Sequence, residues 1–324
     1  MTPPDWVAVL LARAGLVPTD AQPLTGGVSS DVWRVRLDSN ESVVVKRAIG
    51  RLRVEAYWVA PLERNTIEAR YLSRVARIVP QFIPRVVAAD EELHAFAMND
   101  LGPLPSWRDD LAGGRIDPEV GAALGERLVA VHAHTAGDAS AASEFASDEL
   151  FEALRIEPYL RYTAQNLPEH AAALSQLANE LAATHLALVH GDVSPKNVIV
   201  TADGPVLTDA ECAWYGDPAF DLAFCLNHLM LKRIWKPEHR DLLQETSTRL
   251  LTMYLQGVSW EPPDAVATRA ARLIPALALA RVDGRSPVDY LSASQRNSLR
   301  ISAGRALHKS ATDPLAIAQQ LEGL

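Results

Sequence analysis

Two short apolar runs that enclose a polar loop constrain this chain more than any other feature of its sequence. The first run ends at Val189 and leads into His190-Gly191-Asp192, and the second begins directly after Asn197. Such runs predict two buried strands, so the loop between them holds a carboxylate and an amide five positions apart. A third short strand ends near Asp209. These parts indicate phosphoryl transfer, which needs a carboxylate to orient a hydroxyl and oxygen ligands for magnesium.

Length and composition set the class of protein. The chain has 324 residues, of which 48% are hydrophobic, enough for one large core or two moderate ones. A net charge of −9 argues against a nucleic acid or an anionic membrane as the main partner. The chain begins without a basic leader and has no long apolar window, so we expect a cytoplasmic location. Cys212 and Cys225 are expected to be buried free thiols, and the oligomeric state stays open.

The pattern along the chain predicts an α+β fold of two lobes. Residues 1–98 combine four strand-like segments with two helices, which predicts a small β-rich lobe that binds the nucleotide. Residues 99–105 are rich in Gly and Pro and are expected to form a hinge. Residues 106–324 are mostly helical and carry the polar loop and the substrate pocket. The expected helices, strands and loop include helices at 5–15, 62–78, 118–135 and 169–187, strands at 32–37, 42–46, 86–88 and 94–98, and a loop at 136–149.

Asp192 is the candidate catalytic residue, because a carboxylate in a loop between buried strands can face a cleft and orient a hydroxyl. An aspartate in such a loop can also simply cap a turn. Asn197 and Asp209 are oxygen donors of the kind that Mg²⁺ prefers, although an Asn at a loop end is often only an Asx-turn. Asp221 and His190 are expected to hold the loop rather than to react.

Lys46 ends the run Val43-Val-Val-Lys46, and a lysine on such a strand can neutralise nucleotide phosphates. A solvated lysine at a strand end is the alternative. The lysine needs a carboxylate partner, and Glu68 is favoured over Glu55 and Glu63 because it lies within the periodic part of the next helix.

A glycine-containing segment precedes the first strand of the hairpin. Its backbone can approach phosphates closely, although a plain glycine turn explains it nearly as well. The candidate residues of this segment are Gly26, Gly27, Ser29 and Ser30. His132 is interpreted as a packed or hydrogen-bonded core histidine.

Together these motifs resemble the aminoglycoside phosphotransferase/choline kinase family, from about Leu24 to Asn227. The resemblance is strongest in His190-Gly191-Asp192, in Gly216-Asp217-Pro218 and in Asp221-Leu222. It implies a protein-kinase-like fold with ATP and Mg²⁺ as cofactors. It also implies a catalytic Asp192, the metal ligands Asn197 and Asp209, and a Lys46–Glu68 pair on the phosphates. The segment from Gly26 to Ser30 would cover the nucleotide, and a hinge from Met98 would bind adenine through the backbone of Asn99 and Leu101.

The chain departs from the family pattern in places. Ala210 and Glu211 follow Asp209, Lys196 stands where glycine is frequent, and the segment at Gly26 lacks a third glycine.

The expected function is transfer of the γ-phosphate of ATP to a hydroxyl of a small molecule such as a sugar, an amino alcohol or an aminoglycoside. The alternatives are a protein kinase and a catalytically silent nucleotide-binding regulator. The acceptor is left open, since Glu211, Trp214, Tyr215 and Asp217 favour a cation, whereas Arg281 and Arg285 favour an anion or a polyol. The two arginines are equally compatible with a solvated helix end.

Overall fold

The computed structural model describes residues 3–24, 29–51, 53 and 60–323. The chain divides into two compact units. The first unit comprises Met1–Leu104 and Val206–Cys212, and the second comprises Pro105–Pro205 and Ala213–Leu324. The predicted two-lobe division at residues 99–105 did not include the short return segment 206–212, which is grouped with the first unit.

The first unit is built on a five-stranded antiparallel sheet in the order β1-β2-β3-β5-β4. Pairing between β2 and β3 sets Val32 opposite Lys46, and pairing between β3 and β5 sets Lys46 opposite Phe96. The strands are β1 (Pro18–Leu24), β2 (Ser30–Leu37), β3 (Ser42–Ala48), β4 (Val86–Asp90) and β5 (Ala95–Asn99), and the helices are α1 (Asp5–Arg13) and α2 (Arg64–Val75).

Alternation along β3 gives the sheet two different faces. Val43 and Val45 belong to a buried apolar cluster with Leu10 and Leu11 of α1. Successive strand residues point to opposite faces, so Lys46, the residue after Val45, faces the side that α2 covers. This alternation carries Lys46 into the interior on the α2 side.

The second unit is mainly helical. Its helices are α3 (Trp107–Ala112), α4 (Pro118–Thr135), α5 (Ala139–Glu144), α6 (Asp148–Phe151), α7 (Tyr162–Asn166), α8 (Ala171–Ala182), α9 (Ala219–Trp235), α10 (Arg240–Gly257), α11 (Pro263–Asp283), α12 (Ala293–Leu307) and α13 (Pro314–Leu321). A π-helix at Glu152–Arg161 contains Pro158 and joins α6 to α7. Short 3-10 turns lie at Pro168–His170, Pro195–Asn197 and Pro237–His239.

Short strands bracket the polar loop. β6 (Ala187–Val189) pairs antiparallel with β9 (Trp214–Gly216), and β7 (Val198–Thr201) pairs with β8 (Gly204–Leu207). All three residues of β6 are buried. The chain passes from the second unit back to the first within β8.

Close helix packing forms the core of the second unit. Gly121 and Gly125 of α4 lie against α10, where a Cβ added at either position would meet a backbone carbonyl oxygen at 2.4 Å. Helix α9 is buried along almost its whole length, and α11 packs against it. The absence of side chains at the two glycines therefore allows α4 and α10 to approach closely.

Most predicted elements are present, but the structure differs from the prediction in several places. The predicted loop 136–149 contains helix α5, which Asp138 caps by accepting hydrogen bonds from the N–H groups of Ser140 and Ala141. The predicted helix 169–187 ends at Ala182, and strands β1 and β9 were not predicted. Cys212 and Cys225 are buried free thiols, as expected. Within the described part of the chain, no helix is long and apolar enough to cross a bilayer.

Candidate active site

Lys46 lies at the centre of a buried charge cluster in the first unit. Its Nζ is 2.6 Å from Oε2 of Glu68 and also pairs with Oδ1 of Asp209. Glu68 is 1% exposed and Lys46 is 6% exposed. The structure therefore brings together three of the predicted site residues. The solvated alternative for Lys46 does not hold, and of its possible partners Glu63 is exposed and Glu55 lies outside the described residues.

The charges in this cluster shift one another's pKa. Burial raises the pKa of Glu68 to about 7, against the opposing effect of Lys46. Burial by itself would lower the pKa of Lys46, but Asp209, Glu68 and Glu211 together raise it above its ordinary value. Lys46 is thus a fixed cation near neutral pH.

Arg64 anchors the segments around this cluster. Its guanidinium is fully buried and donates to the carbonyl oxygens of Ala60 at 3.0 Å, Pro61 at 2.7 Å and Ile49 at 2.6 Å. Its Nε is 3.1 Å from Oε2 of Glu211. Glu211 is therefore held by Arg64 in the first unit, two residues after Asp209.

The predicted nucleotide-covering segment is described only in part. Gly26 and Gly27 lie outside the described residues. The carbonyl oxygen of Ser29 accepts a hydrogen bond from the N–H of Ile49 at 3.1 Å. Ser30 begins β2 and is buried, and its hydroxyl has no hydrogen-bond partner among the residues that the structure describes.

The predicted hinge follows β5. Met98 pairs with Val44, and the N–H of Asn99 donates to the carbonyl oxygen of Arg85 at 3.0 Å. The next residue, Asp100, is 2.7 Å from Nε of Arg34. Leu101 follows directly and is partly exposed. The backbone around Asn99 is thus held in place by the sheet.

Asp192 lies in the second unit, in the loop between β6 and the turn at Pro195–Asn197. Its Oδ2 is 2.9 Å from a terminal nitrogen of Arg155 and 3.0 Å from Nζ of Lys196. The Ser194 hydroxyl donates to its Oδ1 at 3.3 Å. Asn197 donates from Nδ2 to the backbone carbonyl of Asp192 at 3.0 Å. The loop therefore keeps the predicted catalytic residue and one predicted metal ligand in contact.

The two cations decide the protonation state of Asp192. Burial would raise the pKa of its carboxyl, but the charges of Lys196 and Arg155 outweigh burial and hold this pKa well below its usual range. Asp192 is therefore ionised at all physiological pH values. Such a carboxylate is a weak base but a strong hydrogen-bond acceptor, which suits the orientation of a hydroxyl.

Asp221, in the first turn of α9, anchors the loop. Its Oδ2 accepts a hydrogen bond from the N–H of His190 at 2.7 Å, and its Oδ1 accepts one from Gly191 at 2.8 Å. His132 lies 3.4 Å from the same Oδ2 and bonds to the Tyr254 hydroxyl at 2.7 Å. Asp221 and His132 thus hold the backbone just before Asp192, as the sequence predicted for Asp221.

The side chains that were considered as ligands of a cationic acceptor contact other residues of the protein instead. Trp214 is buried and stacks on Phe151 with ring centroids 4.4 Å apart. The Tyr215 hydroxyl donates to the carbonyl of Leu186 at 2.9 Å. Asp217 is 2.9 Å from Nε of Arg269. These three side chains belong to the interior of the second unit.

Sequence reasoning missed several charged residues around Asp192. Arg155 lies 37 positions before Asp192 on a π-helix, and no local motif marks it. The contact of Lys196 with Asp192 had a signal, because the two residues are four positions apart. His228, whose side chain feels the charges of Asp192 and Lys196, was also missed.

A family comparison agrees with this geometry. Residues 20–251 match the model of the phosphotransferase enzyme family APH, which is more than half of the chain. The chain belongs to this family. The predicted family is therefore confirmed.

One similar protein is the methylthioribose kinase of Pectobacterium carotovorum, which is 29% identical over 238 residues. The match covers 65% of this chain and 60% of that protein. The chain thus spans about 60% of the length of this curated relative.

Solved structures confirm the predicted fold class. An aminoglycoside phosphotransferase from Alicyclobacillus acidocaldarius matches with a TM-score of 0.53 and 16% identity, over 100% of this chain and 98% of that one. An amicoumacin kinase in complex with AMP-PNP, Ca²⁺ and Ami matches with a TM-score of 0.54 and 13% identity. This match covers 98% of this chain and 97% of that one. The chain therefore has the α+β fold of these kinases.

Proposed function

We propose that the protein transfers the γ-phosphate of ATP to a hydroxyl group of a small molecule. The observation that carries the proposal is the Asp192 loop, in which Arg155 and Lys196 keep the carboxylate ionised and Asp221 fixes the backbone before it. In phosphoryl transfer the protein mainly positions the reactants and stabilises charge, so a carboxylate that only orients the acceptor hydroxyl is sufficient.

The cofactor assignments rest on the chemistry of the donors. Lys46, held by Glu68, would neutralise the phosphates of ATP, and Asn197 and Asp209 supply the oxygen donors that Mg²⁺ prefers. Mg²⁺ bound there would neutralise charge on the β- and γ-phosphates. Gly26, Gly27, Ser29 and Ser30 would cover the phosphates. Met98, Asn99 and Leu101 would bind adenine through their backbone.

The test is an acceptor screen with a matched pair of variants. Wild type, Asp192→Asn and Asp203→Asn are assayed with Mg²⁺ and ATP over sugars, amino alcohols, aminoglycosides and a generic protein, and the phosphorylated product is identified. Asp203 is exposed on the turn after β7 and serves as the control. We expect a small-molecule product, with a fall in kcat of about 100-fold or more for Asp192→Asn alone.

Two outcomes contradict the proposal. Phosphorylation of the protein acceptor alone would identify a protein kinase, and tight binding of ATP without any product would identify a regulator.

The nucleotide assignment is measured in the same assay with Glu68→Gln, for which we expect KM for ATP to rise about tenfold or more because Lys46 loses its partner. The exposed Glu63→Gln on the same segment should leave KM for ATP unchanged.

A further inference from the structure

Helix α9 carries a buried amine that makes no ion pair with a carboxylate among the described residues. Lys232 is 4% exposed, and its Nζ lies 3.9 Å from the ring centroid of Tyr290 and 4.5 Å from that of Trp235. In the described ranges of the chain, no carboxylate is in ion-pair contact with it. A buried ammonium without a counterion is costly, and contacts with aromatic rings compensate only part of that cost. The position therefore favours an external anion.

Arg281 of α11 is a second cation without a carboxylate partner among the described residues. It donates to the Tyr159 hydroxyl at 3.3 Å and to the Ser286 hydroxyl at 2.9 Å. Its Nε is buried, and so is the Tyr290 hydroxyl, and neither atom has a hydrogen-bond partner in the part of the chain that the structure describes. Buried donors in native proteins nearly always have partners, so these two point to a missing acceptor.

Side-chain contacts join Arg281 to Asp192. Arg281 donates to the Tyr159 hydroxyl at 3.3 Å, the Arg155 guanidinium lies 5.9 Å from the centroid of the Tyr159 ring, and Arg155 is 2.9 Å from Asp192. His228 lies on the same face of α9 as Lys232, one turn earlier. Burial lowers its pKa well below the ordinary value; Arg281, Lys196 and Lys232 lower it further, while Asp192 opposes them. A neutral imidazole there can hydrogen-bond to an acceptor molecule.

We propose that Lys232, Arg281, Tyr290 and His228, here called the cationic cluster, bind a carboxylate or phosphate group of the acceptor molecule. The inference rests on the proposed function, because it places the anionic group beside the hydroxyl that Asp192 orients. Within the described ranges, the cluster offers two positive charges without a carboxylate partner and two donors without an acceptor, which match the several oxygens of such an anion. A cationic acceptor would be repelled by the same charges.

The test uses acceptors that differ only by the anionic group. Ribose is compared with ribose 5-phosphate for the phosphate, and 1-propanol with 4-hydroxybutanoate for the carboxylate. In wild type we expect the anionic member of at least one pair to have a kcat/KM at least 100-fold higher than its neutral partner. Lys232→Met and Arg281→Met should each raise KM for that substrate 10- to 100-fold, change kcat little and leave the neutral partner unaffected.

Matched controls come from neighbouring positions that have carboxylate partners. Lys236 also lies against the Trp235 ring but is 3.9 Å from Glu238, and Arg272 of α11 is 2.7 Å from Glu180. Lys236→Met and Arg272→Met should leave KM for the anionic substrate unchanged. If the neutral members are used as well as the anionic ones, the cationic cluster is not an acceptor site, although the proposed function stands.

A binding measurement separates this inference from the proposed function. If no acceptor is phosphorylated, thermal shifts with inorganic phosphate and with acetate decide the question. A stabilisation of wild type that Lys232→Met removes and Lys236→Met retains would support the anion site without the kinase activity. Equal shifts in wild type and Lys232→Met would overturn it.

Discussion

The buried amine of Lys232 has a measurable cost for folding. Burial lowers its pKa to about 8 from an ordinary value of 10.5, with further lowering by Arg108 and Arg281 and partial compensation by Asp289 and Asp109. The folded-state pKa is depressed, so the unfolded chain holds the proton more tightly between pH 8 and 10.5. The free energy of unfolding therefore rises with pH between pH 8 and 10.5, as the buried ammonium loses its proton. Below pH 8 the ammonium is fully protonated and its burial lowers the free energy of unfolding by the full amount.

Lys232→Met should consequently stabilise the protein at pH 7 in the absence of anions. We expect a gain of about 1 kcal/mol in the free energy of unfolding, because the relieved burial of charge exceeds the lost aromatic contacts. Denaturant unfolding at pH 7 and pH 10 measures it, and the gain should disappear at the higher pH. A loss of stability at pH 7 would show that the lysine has a purely structural role. Lys236→Met should change little.

Individual site residues were predictable where the signal is local in sequence. The spacing between Asp192 and Asn197, the lysine at the end of β3 and the position of Glu68 in the next helix all follow from patterns within one or two elements. Arg155, His228 and Lys232 were not predictable, because their roles arise from contacts between helices that are far apart in the chain. A buried lysine on an apolar helix has no distinguishing local pattern.

The first turn of α9 positions the loop that carries Asp192. Asp221 uses both carboxylate oxygens to accept backbone hydrogen bonds from His190 and Gly191. Asp217, four residues earlier, accepts hydrogen bonds from the N–H of Ala219 and from Arg269 instead. Two buried aspartates at one helix start therefore hold different partners.

Asp221→Asn should lower turnover as well as stability. An amide in place of the carboxylate leaves one backbone N–H facing a donor, which costs about 1–3 kcal/mol and shifts the loop that carries Asp192. We expect kcat to fall about tenfold or more with KM for ATP unchanged. Asp217→Asn should lose similar stability but retain kcat. Equal kcat in the two variants would mean that Asp221 acts only in folding.

Regular elements were more predictable than irregular ones. Helices α2 and α4 and strands β2, β3 and β5 follow the apolar periodicity of the sequence. The π-helix at Glu152–Arg161 does not, because its hydrogen bonds span five residues and it contains Pro158. Helix α5 was missed because its alanines and serines lack an apolar stripe, although Asp138 is a recognisable N-cap.

The family match ends at residue 251, yet the chain beyond it is part of the second unit. Helix α11 supplies Arg281 of the cationic cluster and Arg269, the partner of Asp217. After α13, Glu322 is 2.7 Å from a terminal nitrogen of Arg233 in α9, and both side chains are 1% exposed. The C-terminal helices are thus tied to the helix that carries much of the site.

Glu322→Ala should destabilise the protein strongly. Removing one partner leaves the other charge buried and unpaired, which costs about 3–5 kcal/mol. The midpoint of thermal unfolding measures the loss. Glu238→Ala, which breaks an exposed pair with Lys236, should change stability by less than about 0.5 kcal/mol. Similar midpoints for both variants would show that the C-terminal helices are energetically independent of α9.

The return of residues 206–212 to the first unit imposes an order on biosynthesis. A ribosome delivers the first 104 residues early, but the carboxylates of Asp209 and Glu211, which neutralise Lys46 and Arg64, emerge only after another hundred residues. Until then Lys46 and Arg64 lack these two partners. Completion of the N-terminal unit therefore waits for translation of the middle of the polypeptide, so an isolated fragment ending at residue 104 would lack part of its own interior.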